Sequence, residues 1–150
     1  MSKLQIRQGL FETNSSSTHT ITIVDAEDFE NWEKDKVWYN TSEDDFLPID
    51  KAIDANIKIL EDEFLEGDNK LPESFKEKYR ELKNFEEAYD ETQDDFDFDF
   101  DYDDIRWEWE SFYLSREAWR DSNDEYEDFD ESYTTKHGDK VVAFGYYGYN

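Results

Sequence analysis

From Asp95 to Asp103 the chain alternates acid and aromatic without a break: Asp95-Phe96-Asp97-Phe98-Asp99-Phe100-Asp101-Tyr102-Asp103. An extended backbone sends successive side chains to opposite faces, so this run predicts a strand. Phe96, Phe98, Phe100 and Tyr102 would line one face and the five aspartates the other. Same-face carboxylates on a strand recur about every 6.6–6.8 Å, and DNA carries one phosphate per roughly 3.4 Å along each of its strands. One such row has about half the linear charge of a DNA strand, and a neighbouring strand about 4.8 Å away or an acidic helix would supply the rest. A solvated edge strand that only has to avoid aggregation needs one or two charges, not five.

The run belongs to a wider imbalance. The 150 residues carry 42 Asp and Glu against 16 Lys and Arg, a formal charge of −26. Residues 86–131 hold 21 of the acids and three bases, Arg106, Arg116 and Arg120, and so contribute −18 of that charge. High charge with low mean hydropathy is the composition of disorder. Aromatic residues at 18% with only 5 Gly and 2 Pro argue instead for a folded chain, because disordered acidic chains are poor in large rings. Adaptation to high salt would spread the acids evenly, which this chain does not do. The length suits one core, so a single domain over residues 1–150 is expected.

Around the alternating run the pattern is mixed. His19-Thr20-Ile21-Thr22-Ile23-Val24 reads as a strand with Ile21 and Ile23 on one face, and Val37-Trp38-Tyr39 as a short partner strand. Ile49, Ala52, Ile53, Ile57, Leu60 and Phe64 recur at helical spacing over residues 49–66, with Gly67 as the stop. Pro72 opens a second helix through Phe75, Tyr79, Leu82 and Phe85, to be packed on the first as a hairpin. Ile105, Trp107 and Trp109 resume the alternation against Arg106, Glu108 and Glu110, and residues 111–121 favour a short helix. Ser132–Thr135 and Lys140–Phe144, joined at His137-Gly138-Asp139, read as a closing hairpin, and the aromatic tail 145–149 is expected across the sheet. The expected class is α+β: a twisted antiparallel sheet with a two-helix hairpin on one face and a strongly acidic surface.

Several chemistries are disfavoured. The chain has no cysteine, which removes thiolate metal sites, disulfides and a Cys nucleophile. Asp97, Asp99, Asp101, Asp103 and Glu108 fall at positions 1, 3, 5, 7 and 12 of a calcium-loop count, but Tyr102 stands where that loop needs glycine. Ser15, Ser16, Ser17 and His19 lack a catalytic frame such as Gly-x-Ser-x-Gly, and a hydroxyl-rich turn explains them. No enzyme activity, cofactor or metal is expected. With neither a Gly-rich phosphate loop nor a basic patch, direct nucleic-acid binding is not expected either. The N-terminus has no apolar core after its charges and no apolar run approaches a membrane span, so the expected location is a cytoplasm.

The opening Ile6-Arg7-Gln8-Gly9-Leu10-Phe11-Glu12-Thr13-Asn14-Ser15-Ser16-Ser17-Thr18-His19 resembles the N-terminal signature of a group of bacteriophage and prophage proteins, which begin with Arg and then Phe-Glu-Thr-Asn-Ser-Ser-Ser and a nearby His. The likeness covers about a tenth of the chain and implies viral origin and a host cytoplasm. By type the chain also looks like the phage acidic DNA mimics that disable host defence. The expectation is an inhibitor that occupies the basic groove of a nucleic-acid-binding protein or ribonucleoprotein. A CRISPR effector is preferred and a restriction enzyme comes next; an acidic phage scaffold protein is the rival. The expected partner-binding residues are Asp95, Asp97, Asp99, Asp101, Asp103 and Asp104, with Glu108 and Glu110. A second set is Asp124, Glu125, Glu127, Asp128, Asp130 and Glu131. Trp107, Trp109 and Tyr126 would add anchoring contacts if exposed. The oligomeric state is left open, a dimer being one option.

Overall fold

The computed structural model describes residues 4–6, 17–122 and 126–149, with side chains at 20–102, 104–105, 107–122 and 126–148. Within these the protein is α+β, and its strands form two antiparallel sheets instead of the one expected. The chain divides into two compact units, residues 1–36 with 115–150 and residues 37–114.

The first unit is built on a four-stranded sheet. Strands β1 (Leu4–Ile6) and β2 (Ser17–Asp25) are followed by helix α1 (Ala26–Glu33). The chain returns to this unit with α6 (Arg116–Ser122), β6 (Glu127–Thr134) and β7 (Lys140–Tyr149). The order is β1-β2-β7-β6. The β6–β7 hairpin turns where expected: Thr135 donates its N–H to Asp139 O at 2.8 Å and Gly138 takes φ +88°, a conformation open to glycine. Period two decides which face of β2 is wet. Thr22 and Val24 lie opposite Phe144 and Val142 of β7 and are buried with them, while Ile21 and Ile23 on the other face are half-buried. On the buried face Phe29 and Trp32 of α1 and Trp119 of α6 meet Phe144, with ring centroids 5.2–5.6 Å from it.

The second unit has a three-stranded sheet in the order β4-β3-β5, from β3 (Val37–Asn40), β4 (Asp45–Pro48) and β5 (Tyr113–Leu114). The strand at Val37 therefore pairs with its own sheet and not with β2. Between β4 and β5 run α2 (Ile49–Ile59), a wide π-helical turn Leu60–Phe64, α3 (Glu73–Leu82), α4 (Phe85–Thr92) and α5 (Tyr102–Arg106). The single helix expected from Pro72 onward is two, because Lys83 adopts φ +55° and Asn84 then caps α4 by accepting the Glu87 N–H. A left-handed residue followed by an N-cap ends one helix and begins another. Ala52, Ile53, Ile57 and Leu60 present one face to Phe75, Tyr79 and Ala88, and Trp38, Phe112 and Tyr113 complete this core. Asn56 is its polar hub. Its side chain donates to Tyr79 Oη and Tyr113 O, both at 2.9 Å, and accepts from the Tyr113 N–H at 2.7 Å.

Candidate functional site

The acid-aromatic run forms no strand. Gln93–Asp95 is a 3-10 turn, residues 96–101 are irregular, and Tyr102 begins α5. The expected strand over 95–103 is therefore corrected, although its alternation survives in burial. Phe96, Phe98, Phe100 and Tyr102 are half-buried, and Asp95, Asp97, Asp99 and Asp101 are exposed.

Ring geometry gives the reason. In a strand, residues four apart stand about 13 Å from one another, yet the Phe96 and Phe100 rings are 5.2 Å apart, with Phe98 at 5.6 and 6.5 Å from them. Phe96 and Phe100 both reach Tyr89 of α4 at 5.3 Å, Phe96 reaches Phe75 of α3 at 5.6 Å, and Tyr102 stacks on Phe85 at 5.5 Å. The rings converge on a helical platform, and the backbone must curve to let them. Burial of aromatic surface, about 1.5–3 kcal/mol for a fully buried side chain, outweighs strand formation where no neighbouring strand offers hydrogen bonds. The carboxylates are exposed, but the backbone that carries them is not the straight strand for which the row spacing was calculated.

Two of these acids have local duties. Asp95 accepts from Ser74 Oγ at 2.8 Å, and Asp101 caps α5 by accepting the Asp104 N–H at 3.2 Å. Asp103 lies in α5, and its side chain is outside the described set. The alternation expected at 105–110 is also replaced, by the end of α5 and a 3-10 turn Trp109–Ser111. Ile105 and Trp109 are half-buried in this arrangement, whereas Trp107 is 79% exposed. Asp97, Asp99, Asp104, Glu108 and Glu110 are exposed and have no ion-pair partner among the described residues. Three bases of this unit serve acids elsewhere: Lys76 stands 3.5 Å from Glu61, Lys78 3.5 Å from Glu91, and Arg80 3.1 Å from Asp54.

The second acidic set behaves differently. Asp124 and Glu125 lie outside the described residues; the other four are on β6, an edge strand. Asp128 and Asp130 share a face with Phe144 and Tyr146 of β7, and there they meet arginines. Arg116 Nη2 is 3.4 Å from Asp130 and 3.6 Å from Asp128, and Arg120 Nε is 3.2 Å from Asp128. On the opposite face Glu127 accepts from Tyr147 Oη and Glu131 from Tyr133 Oη. The bond to Glu131 holds the Tyr133 hydroxyl above the usual tyrosine range, since ionisation would remove the donor. The ring of Tyr126, half-buried, lies against Gly148.

Arg116 is the group that sequence reading missed. It is 5% exposed, with its guanidinium carbon 5.0 Å from the Trp32 ring centroid, 5.1 Å from Phe29 and 5.2 Å from Trp119. Burial lowers its pKa from the ordinary value and the charge of Arg120 adds to the effect, while Asp128 and Asp130 oppose both. The available signal was the spacing Arg116-Glu-Ala-Trp119, which places the two side chains on one helical face.

Chemically, Asp128 and Asp130 are paired with arginines inside the fold, whereas Asp97, Asp99, Asp104, Glu108 and Glu110 have no ion pair among the described residues. Among the described residues no group of three or more His, Cys, Asp or Glu side chains is arranged to hold a metal ion, and no helix is long and apolar enough to cross a membrane. No family model, curated protein or solved structure matches the chain.

Proposed function

We propose that this chain is a phage-encoded inhibitor that presents carboxylates to the cationic groove of a host nucleic-acid-binding protein and keeps nucleic acid out. A CRISPR effector is the preferred target and a restriction enzyme the next. The observation that carries the reading is the exposed acid of one segment: Asp97, Asp99, Asp104, Glu108 and Glu110 are exposed and without ion pairs among the described residues, while Lys76, Lys78 and Arg80 of the same unit pair with Glu61, Glu91 and Asp54. Leaving such a set unneutralised raises self-repulsion, and a cationic partner removes it. Because the backbone curves, imitation of nucleic acid rests here on charge density on a fixed, ring-anchored segment and not on phosphate-like spacing. The strongly acidic surface expected from the sequence is part of this proposal.

The test is competition. Purified chain is titrated into a CRISPR effector or a restriction enzyme bound to labelled duplex, at low and at high salt, beside the Asp97→Asn/Asp99→Asn/Asp101→Asn variant. Asn also serves as an N-cap, so α5 is retained. The variant is expected to inhibit at least about ten-fold less well, and salt to weaken wild-type inhibition as it does other charge-steered association. Failure of the wild type to displace nucleic acid from any such protein at low salt, or equal inhibition by the variant, rules the proposal out.

A further inference from the structure

Of five tryptophans, Trp32, Trp38 and Trp119 are buried and Trp109 is half-buried, but Trp107 is 79% exposed. Its position is not that of a loose loop. Glu108 donates its N–H to Ile105 O at 2.9 Å, closing the turn across Trp107, and Ser111 donates to Glu108 O at 2.9 Å to fix the next one. Asp104 precedes the indole by one helical step of three residues, and Glu108 and Glu110 follow it; all three are exposed.

Building on the function proposed above, we infer that Trp107 is the aromatic anchor of the interface and that it receives an arginine of the partner. A guanidinium is flat and weakly hydrated, so it stacks on an indole face while its edge donates to a carboxylate such as Asp104 or Glu108. A lysine ammonium is a strongly hydrated point charge and gains less from the ring. An apolar pocket is a poor occupant, because closing it over Trp107 strips water from the surrounding acids without supplying a cation. A nucleobase is poorer still, since its phosphates meet the same acids. Nucleic-acid grooves are rich in arginine, which makes the anchor suited to the same partner as the carboxylates.

Octa-arginine and octa-lysine peptides are the probes, titrated at low salt into the full chain and into Trp107→Ala and Trp107→Phe. Trp107→Ala is expected to weaken octa-arginine binding about five-fold and octa-lysine binding less than about two-fold, with Trp107→Phe recovering part of the loss. The thermal midpoint of each variant should match wild type, because the indole is not packed. Unchanged octa-arginine affinity in Trp107→Ala, or an equal loss for both peptides, overturns the anchor and leaves the carboxylate reading standing. If wild type binds neither peptide at low salt, the carboxylate reading falls, and the anchor with it.

Discussion

Arg116 Nη2 lies 3.4 Å from Asp130 Oδ2, joining α6 to the edge strand β6 beneath a layer of aromatic rings. The guanidinium is nearly enclosed while its two aspartates stay partly in water, so the charge is offset as much by ring faces as by carboxylates. The removal of the guanidinium from water largely cancels its attraction to the aspartates.

Arg116→Met should therefore hold stability within about 1 kcal/mol of wild type, because the aliphatic side chain keeps the ring contacts, Asp128 retains Arg120, and the Asp130 carboxylate left without Arg116 is partly in water. Arg116→Ala should lose about 3 kcal/mol by opening a cavity among Phe29, Trp32 and Trp119. Urea unfolding decides; equal losses in the two variants would assign the role to the ion pairs.

In the second unit, Asn56→Leu is expected to cost about 3 kcal/mol or more. It strands both backbone groups of Tyr113 and the Tyr79 hydroxyl in a dry core. Tyr79→Phe, which removes one of these hydrogen bonds, should cost about 1 kcal/mol. A chemical-denaturation series that ranked the two alike would show that Asn56 is not the hub.

Gly145 sits opposite Phe129 and tight against β2. An added Cβ would stand 1.8 Å from the Thr20 carbonyl oxygen and 3.1 Å from the Phe129 ring. The obstacle is backbone, so Gly145→Ala should destabilise by more than about 3 kcal/mol or abolish folding. Gly67→Ala meets nothing within 4 Å and carries only the strain of φ +60°, about 1 kcal/mol. Thermal melts of the pair test this; similar midpoints would contradict it.

Stability should fall in alkali through a particular tyrosine. Burial, then the charge and hydrogen bond of Asp45, push the Tyr113 hydroxyl up to about 12, against about 10 in an unfolded chain. The folded state keeps a proton that the unfolded state releases, so this contribution is complete below about pH 10 and is lost as pH rises toward 12. Burial raises Tyr79 as well, so part of the slope persists in Tyr113→Phe. Urea midpoints measured across the alkaline range should decline less steeply in the variant than in wild type.

Legibility varied with the kind of information each segment carries. Strand β2, helix α2 and the β6–β7 hairpin were readable because local period and turn chemistry agree there, whereas residues 111–121, where a short helix was favoured, divide between strand β5 and helix α6. Residues 95–103 misled in an instructive way. Their period of two correctly sorted Phe96, Phe98 and Phe100 from Asp97 and Asp99, but period records which side chains avoid water and not whether the backbone has a partner. The same confusion placed Trp107 in a strand. Of the candidate site, the exposure of the aspartates could be foreseen; the internal engagement of Asp128 and Asp130 could not, since it depends on Arg116 and Arg120 arriving from another element.

The order of residues alone settled the α+β class and the alternation of wet and dry side chains, because both follow from local periodicity and from how much ring surface can be withdrawn from water. Tertiary structure decided that the strands divide between two sheets, that the acid-aromatic segment curves onto helices, and which carboxylates are neutralised within the fold. These outcomes depend on which distant group lies within a few ångströms, and hydrogen bonds and ion pairs form only at that range.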